Sequence, residues 1–205
     1  MGPIHQTGDI IWLKSCGSTN RELRERMDTL PNLSVIAATE QTAGRGQGSH
    51  TWHASPGCNL TFSCLYRPAL PADALLLLTC VTTLALRDYL GSRGIEARIK
   101  WPNDIWVGDK KICGILIENV IEAGIITKSI VGIGLNVNEE NWPEDIPNPV
   151  SMKELTGVTY RLDEELQALQ KAICRRFQAL SETDGRRRLQ EEFEKYMFKL
   201  PEARQ

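Results

Sequence analysis

In the stretch Ile130-Val131-Gly132-Ile133-Gly134-Leu135-Asn136-Val137, apolar side chains alternate with glycine and asparagine. Successive side chains of a β-strand point to opposite faces, so this pattern predicts a strand with one apolar face and one nearly bare face. The apolar face is expected to pack on a core. The bare face indicates that a ligand or another stretch of backbone lies against it, although close packing of the strand on a helix is at least as common an origin of the pattern.

The segments on either side of this strand predict a sheet followed by helices. Strands are predicted at residues 33–39, 59–66 and 97–101, and a hairpin pairs residues 105–107 with 111–120 about the turn Gly108-Asp109. Helices are predicted to start near Ser18 and to cover residues 72–90, 162–180 and 189–196. Most strands precede the long helices at the end of the chain, which predicts an α+β fold.

Composition limits the classes of function. The chain has 205 residues, enough for one main core, and we expect a single domain over residues 1–205. Its 24 basic and 26 acidic residues give a net charge of -2, which argues against nucleic-acid binding. The six scattered cysteines predict reduced thiols. The apolar run at residues 74–86 is too short to cross a bilayer, so we expect a soluble cytoplasmic protein that does not bind membranes.

A glycine-rich segment, residues 41–52 (Gln-Thr-Ala-Gly-Arg-Gly-Gln-Gly-Ser-His-Thr-Trp), joins two predicted strands and is called the glycine loop below. Glycines let backbone amides approach an anion, and Arg45 supplies a planar charged group for a phosphate or carboxylate. No Gly-Lys-Ser/Thr ends the segment, and its G-x-G-x-G spacing is not a dinucleotide fingerprint. Composition alone leaves a flexible linker and a ligand-binding loop equally open.

A second polar segment is Lys100-Trp101-Pro102-Asn103-Asp104, and Lys111 follows it after a short turn. A lysine, an amide and a carboxylate at a strand end can bind an anion, donate hydrogen bonds and hold an amine. By itself the segment is more readily explained as a polar turn. Together with the glycine loop and the bare strand, in this order, it is far more specific.

Five motifs in this order resemble the catalytic domain of the biotin protein ligase family. They are Ser18-Thr19-Asn20, Gly44-Arg45-Gly46 with Trp52, Lys100 to Asp104, the Lys-x-x-Gly-Ile-Leu-x-Glu pattern at residues 111–118, and Gly132 to Asn136. The similarity extends from about Ile10 to the final helix. It implies a mixed β-sheet flanked by helices, similar to the core of class II aminoacyl-tRNA synthetases.

The resemblance also implies a two-step reaction. Biotin and ATP form biotinyl-5'-AMP and pyrophosphate, and a lysine of a biotin carboxyl carrier domain then takes the biotinyl group. Mg²⁺ bridging the ATP phosphates is expected, with no permanent metal site on the protein. The relatives include monomers and homodimers.

Site residues are carried over from the motifs. The biotin pocket is expected to comprise Ser18, Thr19, Gln41, Gly44, Arg45, Lys111 and Gly114. The nucleotide is expected to contact Arg45, Gln47, Trp52, Asn103, Lys111 and Asn136. Arg45, Lys111 and Asp104 are the expected catalytic residues: the two cations neutralise the carboxylate and phosphate, and Asp104 orients the acceptor lysine.

The chain departs from the family pattern in three places. Many relatives have further arginines in the glycine loop, where this chain has Gln47, Gly48, Ser49 and His50, so we expect weaker retention of the adenylate. An SH3-like domain after the last helix and a DNA-binding domain before the first strand are both expected to be absent. Two alternatives stay open: lipoate or octanoyl transfer on the related fold, and a catalytically silent protein that binds biotin or nucleotide.

Overall fold

The computed structural model describes residues 8–48 and 50–199, and its main feature is one mixed β-sheet flanked by helices. The strands are β1 (Ile10–Leu13), β2 (Val35–Ala38), β3 (Leu60–Tyr66), β4 (Leu70–Pro71), β5 (Arg98–Lys100), β6 (Asp104–Val107), β7 (Lys110–Glu122), β8 (Ile125–Leu135) and β9 (Met197–Phe198). The helices are α1 (Thr19–Arg26), α2 (Leu76–Gly91), α3 (Met152–Thr156), α4 (Leu162–Gln178) and α5 (Gly185–Tyr196). The predicted combination of sheet and helices is confirmed.

The strand order across the sheet is β1-β2-β3-β8-β7-β6-β5-β9, and β4 pairs with β8 outside this path. The pairs β1–β2 and β5–β9 are parallel, and the other pairs are antiparallel. The long hairpin of β7 and β8 therefore lies at the centre of the sheet. Its register pairs Gly114 with Gly134 and Leu116 with Gly132, so the glycines of both strands meet on one face.

The opposite face of the sheet carries the main core. The alternation predicted for β3 is confirmed, because Leu60, Phe62, Cys64 and Tyr66 are all fully buried in it. Helices α2 and α4 pack against each other over this face, and α5 packs on α2. The Tyr66 ring meets the ring of Phe177 on α4 edge-on at 5.1 Å. This layer makes the sheet a rigid support for its other face.

The glycine-bearing face is covered at one end by α1. Leu23 of α1 packs with Ile36, Leu65 and Ile130 in a second, smaller core, and all four side chains are fully buried. These residues come from α1, β2, β3 and β8, so the cluster fixes the position of α1 on the sheet. Its N-terminal residues are thereby held beside the glycines.

The sequence-based boundaries needed several corrections. Strand β8 begins at Ile125 rather than residue 130, and β4, α3 and β9 were not predicted, because two to five residues are too few to show a periodicity. Helix α2 begins at Leu76 because Ala72–Ala74 form a 3-10 turn. All six cysteines are free thiols, as expected.

The length expected for the apolar run, residues 74–86, was also wrong. Ala72–Gly91, the 3-10 turn with α2, is long and apolar enough to cross a membrane by length and composition alone. Most of it is buried inside the protein, where it packs on α4, α5 and the sheet. The buried core helix of a globular protein passes the same test of length and composition.

One ionic cluster joins the three helices behind the sheet. Arg176 on α4 forms two hydrogen bonds with Asp88 of α2, at 2.6 and 2.8 Å, and two with Glu192 of α5, also at 2.6 and 2.8 Å. Arg176 is about one-fifth exposed. These bonds hold its guanidinium charged, and its pKa lies above the ordinary arginine value.

We expect Arg176→Ala to lower the free energy of unfolding by about 2 kcal/mol, because the two carboxylates lose their partner in a partly buried site. The matched control is Arg187→Ala on α5. Arg187 is mostly exposed and pairs with Asp184 and Glu191, so its loss should cost less than about 0.5 kcal/mol. Urea unfolding followed by circular dichroism measures both, and equal losses would contradict the prediction.

Candidate active site

One row of paired residues crosses the glycine-bearing face of the sheet. Thr61 of β3 pairs with Gly134 of β8, Gly134 with Gly114 of β7, Gly114 with Asp104 of β6, and Asp104 with Lys100 of β5. Cross-strand partners project to the same face, and neighbouring strands lie about 4.8 Å apart. The row therefore forms a floor with two glycines at its centre and a carboxylate and an ammonium at one end.

The N-terminus of α1 meets the start of the glycine loop at the other end of this floor. Backbone bonds from Thr42 to Cys16 and from Ala43 to Gly17, both 2.9 Å, extend the pairing of β1 and β2. They bring Gln41 next to Thr19, whose backbone amide and hydroxyl lie 2.8 and 3.1 Å from Gln41 Oε1. Two residues from the expected biotin pocket are thus in direct contact.

The glycine loop folds back on itself as a small hairpin. Arg45 pairs with Thr51 as an antiparallel bridge, and backbone bonds join Gly46 to His50 at 2.8 Å and Trp52 to Gly44 at 3.1 Å. A Cβ on Gly44 would lie 2.4 Å from the Trp52 carbonyl oxygen, so the pairing requires glycine there. A pocket of about 370 Å³ lies along the hairpin, lined on its two sides by residues 40–44 and 51–54. This is the size of a small-molecule site.

The indole of Trp52 lies directly on the glycine floor. A Cβ built on Gly134 would come 2.2 Å from Trp52 Cε2, and one on Gly114 would come 2.9 Å from Cζ3. The side chain of Asn20 occupies the equivalent place over Gly132, where a Cβ would lie 2.3 Å from its Oδ1. The bare strand face predicted from the sequence therefore receives two side chains of the protein itself. Trp52 Nε1 is buried and has no hydrogen-bond partner among the described residues.

We expect Gly134→Ala to displace the Trp52 indole, because its methyl group would overlap the ring. Indole fluorescence should shift to longer wavelength as the ring moves from the buried floor towards solvent. Gly91→Ala is the control, since a Cβ there meets nothing within 4 Å. The spectrum is compared with that of the same variant carrying Trp52→Phe. A shift that persists without Trp52 would contradict the prediction.

Lys111 and Asp104 form an ion pair beside Trp52. Lys111 Nζ lies 2.9 Å from Asp104 Oδ1 and 5.8 Å from the centre of the Trp52 ring. Both residues are partly exposed. The backbone of Lys111 is held by a 2.7 Å bond to the Asn148 carbonyl and by a 3.1 Å bond from the Val150 amide. The segment after β8 thus fixes the lysine at the edge of the floor.

Arg45 contacts the carboxylate of Glu118, a residue that the sequence indicated only as the last position of the Lys-x-x-Gly-Ile-Leu-x-Glu motif. Arg45 Nη1 lies 3.4 Å from Glu118 Oε1, and Arg24 of α1 lies 3.3 Å from the same oxygen. Asn20 donates to Glu118 Oε2 at 2.8 Å. Arg45 remains more than half exposed and can turn towards a ligand. Glu118 lies four residues after Gly114 in β7 and therefore projects to the same face. This spacing could have identified Glu118 from the sequence.

Two residues expected to contact the nucleotide form hydrogen bonds within the protein instead. Asn103 is buried and donates to the Ile115 carbonyl, and Asn136 is buried and donates to the Val150 carbonyl at 3.1 Å. Both amides thus hold backbone segments around Lys111 and Asp104, and a direct contact with the nucleotide needs a different arrangement. Gln47 lies exposed in the turn of the loop hairpin. Ser18 is buried and immediately precedes α1, without capping it through its side chain.

Glu139 anchors the segment that follows the glycine loop. Its Oε2 accepts hydrogen bonds from the Ser55 amide at 3.0 Å and from Asn59 Nδ2 at 2.9 Å. Burial by itself raises the pKa of this carboxyl, but the hydrogen bonds outweigh it and hold the pKa below its ordinary value.

In the described part of the chain, no group of three or more histidine, cysteine or acidic side chains is placed to hold a metal ion.

Comparisons with known proteins match the chain to one protein family. The sequence profile of the Biotin/lipoate A/B protein ligase family matches residues 12–136. A biotin–[acetyl-CoA-carboxylase] ligase of Paracoccus denitrificans is 35% identical over 82% of this chain and 72% of its own length. The bifunctional ligase/repressor BirA of Bacillus subtilis (strain 168) is 36% identical over 66% of this chain and 41% of its own length. The chain spans less than half the length of the BirA relatives that it matches.

Solved structures match over nearly the whole chain. Biotin protein ligase from Aquifex aeolicus in complex with biotin and ATP gives a TM-score of 0.79 at 30% identity, covering 93% of this chain and 78% of that one. The Leishmania major ligase in complex with biotinyl-5-AMP gives 0.76 at 26% identity, covering 93% and 81%. The fold is therefore the class II aminoacyl-tRNA synthetase-like core found in protein ligases of this type, as predicted. The chain belongs to the biotin/lipoate A/B protein ligase family.

Proposed function

We propose that the protein is a cytoplasmic biotin–[acetyl-CoA-carboxylase] ligase, which couples biotin to a lysine of a biotin carboxyl carrier domain through biotinyl-5'-AMP. The observation that carries the proposal is spatial. Five motifs spread over residues 18–136 meet on one face of the sheet, around the floor of Gly114 and Gly134. The relatives named above as biotin ligases, and the complexes with biotin, ATP and biotinyl-5-AMP, support the same reaction.

Biotin's ureido ring is assigned to the end of the floor next to α1. Thr19 and Gln41 are in contact there, and Ser18 precedes them. Because Thr19 N donates to Gln41 Oε1, the Gln41 Nε2 group is left free to donate to a ligand carbonyl. Nε2 lies 3.3 Å from the position of a Cβ on Gly44, at the mouth of the loop pocket. The valeryl chain would then cross the glycines towards Lys111.

In the first step, the biotin carboxylate attacks the α-phosphorus of ATP, a new P–O bond forms and pyrophosphate leaves with the electron pair of the broken bond. No protein nucleophile is needed, so the enzyme must align two anions and neutralise their charge. Lys111 is placed to do this from the edge of the floor, and Arg45 can leave Glu118 to reach the same anions. Mg²⁺ on the ATP phosphates would screen their charge.

In the second step, the amine of the acceptor lysine attacks the biotinyl carbonyl and AMP leaves. The attacking amine must be neutral, and it loses one proton as the amide forms. Asp104 is assigned to orient this amine, because its carboxylate lies at the floor and is partly exposed. The Lys111 ammonium lies 2.9 Å from this carboxylate, and Asp104 is assigned to accept the proton that the amine loses.

The nucleotide is assigned to the side of the site nearest the loop hairpin. Trp52 would leave the glycines when the ligand enters and close over it, and Gln47 would face the adenylate from the turn. Asn103 and Asn136 are assigned supporting roles, because Asn103 already holds the Ile115 carbonyl and Asn136 holds the carbonyls of Lys111 and Val150. The number of subunits, monomer or homodimer, stays a prediction, as does the absence of nucleic-acid and membrane partners.

The proposal is tested by incubating the protein with biotin, MgATP and an apo carrier domain. The expected products are biotinyl-5'-AMP, found by chromatography, and a carrier heavier by one biotinyl group, found by mass spectrometry. Parallel reactions with lipoate or octanoate test the other activities of the family. Modification by lipoate or octanoate in place of biotin, or binding without either product, would overturn the proposal.

A further inference from the structure

Glu118 joins the glycine loop to α1 through one carboxylate. Its Oε2 accepts a hydrogen bond from Asn20 Nδ2 at 2.8 Å, and its Oε1 lies 3.4 Å from Arg45 Nη1 and 3.3 Å from Arg24 Nη2. The two arginines therefore share a single oxygen atom. The Glu118 side chain is 20% exposed, whereas those of Arg45 and Arg24 are 57% and 46% exposed. The carboxylate is the fixed partner, and the arginines are free to move.

The buried side of the Glu118 carboxylate decides which of its oxygens faces the arginines. Asn20 is almost fully buried, and its Oδ1 accepts a 2.6 Å hydrogen bond from Ser63 Oγ of β3. That bond fixes the orientation of the Asn20 amide, so its Nδ2 group points to Glu118. Asn20 is also held against Gly132, where a Cβ would lie 2.3 Å from its Oδ1. Glu118 Oε2 is thus occupied by the protein interior, and Oε1 is left for the guanidinium groups.

Arg45 has one partner in the structure and another in the proposed reaction. In the structure its guanidinium pairs with Glu118, and in the proposed function it binds the anions of biotin and the adenylate. The two partners compete for the same charged group. Competition of this kind lowers the apparent affinity for the ligand by the fraction of molecules in which Arg45 is available. Arg24 reduces the competition, because it supplies a second cation to the shared oxygen.

We propose that Glu118 and Arg24 are positioning residues that set how readily Arg45 reaches the adenylate. Glu118 holds the guanidinium away from the ligand, and Arg24 keeps the partly buried carboxylate paired when Arg45 leaves it. Arg45 is the only arginine of the glycine loop, so this exchange governs the main positive charge of the loop. The inference rests on the proposed function and adds two residues that act on the ligand through Arg45.

Glu118→Gln tests the role of the carboxylate. The amide oxygen of the substituted side chain keeps the bond from Asn20, and its NH₂ group takes the place of the oxygen that the arginines share. Arg45 then has no acceptor there, and the affinity for biotinyl-5'-AMP, measured by isothermal titration, should rise about fivefold. Glu122→Gln is the matched control. Glu122 is exposed at the end of the same strand, and its replacement should leave the affinity unchanged.

Arg24→Ala tests the second cation. Glu118 should then hold Arg45 more tightly, and the affinity for biotinyl-5'-AMP should fall about threefold. Arg24→Lys keeps the charge and should restore most of the lost affinity. Arg26→Ala is the matched control and should bind like the wild type, because Arg26 lies on the same helix with similar exposure and pairs with Glu22 at 3.0 Å. Arg24→Ala carries the test if Glu118→Gln does not fold.

Both titrations are repeated in proteins that also carry Arg45→Ala, because a change in the general electrostatic field of the site would give the same signs. If Glu118 and Arg24 act through Arg45, their effects should disappear in this background. Effects that persist there, or an unchanged or lower affinity in Glu118→Gln, would overturn the inference while the proposed function stands. Failure of the wild-type protein to bind biotinyl-5'-AMP at all would overturn the proposed function, and this inference with it.

Discussion

Replacement of Lys111 by alanine is expected to lower the rate of biotinyl-5'-AMP formation by about a thousandfold. The Lys111 ammonium lies at the end of the glycine floor, 2.9 Å from Asp104, where the carboxylate and the α-phosphate are assigned to meet. Negative charge increases between these groups as the new bond forms, and a fixed cation lowers the energy of that state more than the energy of the bound substrates. Release of radiolabelled pyrophosphate with biotin and MgATP measures the effect.

Lys110→Ala provides a control at the adjacent position. Lys110 is exposed at the start of β7, and its removal should change the rate less than twofold or so. Transfer from chemically supplied biotinyl-5'-AMP should fall much less in Lys111→Ala than adenylate formation does, since the first step is then bypassed. A similar fall in both steps would show that Lys111 supports the structure of the site rather than the chemistry of adenylation.

Replacement of Gln47 by arginine is expected to slow the dissociation of biotinyl-5'-AMP by about thirtyfold. Gln47 lies exposed in the turn of the glycine loop, at a position where the family resemblance leads us to expect an arginine. One added charge-assisted hydrogen bond to the adenylate phosphate stabilises the complex by about 2 kcal/mol. The rate is measured by chasing preformed protein–adenylate complex with excess unlabelled biotin and MgATP.

Gln47→Lys and Gln47→Glu complete this series. Lysine adds the charge without the planar guanidinium and should give a smaller slowing, and glutamate should speed release. The dissociation rate of Gln47→Arg should also depend on salt more than that of the wild type. If the wild type releases the adenylate as slowly as Gln47→Arg, the expectation of weak retention is wrong, and Arg45 alone holds the ligand.

Much of the fold follows from local patterns in the sequence. The alternation in β3 and β8 correctly predicted which side chains enter the main core, because a strand buried on one face has a period of two residues. Helix α1 was predicted from the hydroxyl residues at its start, and α4 from apolar residues that recur at helical spacing. Helix α5 was predicted as well. The short elements β4, α3 and β9 were missed. They depend on pairing with distant strands or on a local capping box, as at Ser151 and Glu154, rather than on periodicity.

Local sequence patterns predicted less about the contacts within the candidate site. The sequence predicted that Gly132 and Gly134 leave room for something to lie close to the strand, but not that Asn20 and the Trp52 indole lie there. Ser63 was read only as part of an alternating strand. Its contacts with Thr19 and Asn20 join residues more than forty positions apart, and no local pattern indicates such a contact.

By itself, the sequence determined the family, the alternation of the main strands and the residue types available for an anionic ligand. These are local properties, since motif composition and strand periodicity do not depend on distant parts of the chain. Only the tertiary structure decided which of these residues touch. Strand register aligned Gly134, Gly114 and Asp104 in one row, and the packing of α1 set Thr19 between Gln41 and Ser63. Register and packing are set by the sum of many distant contacts, and no single stretch of the sequence determines them.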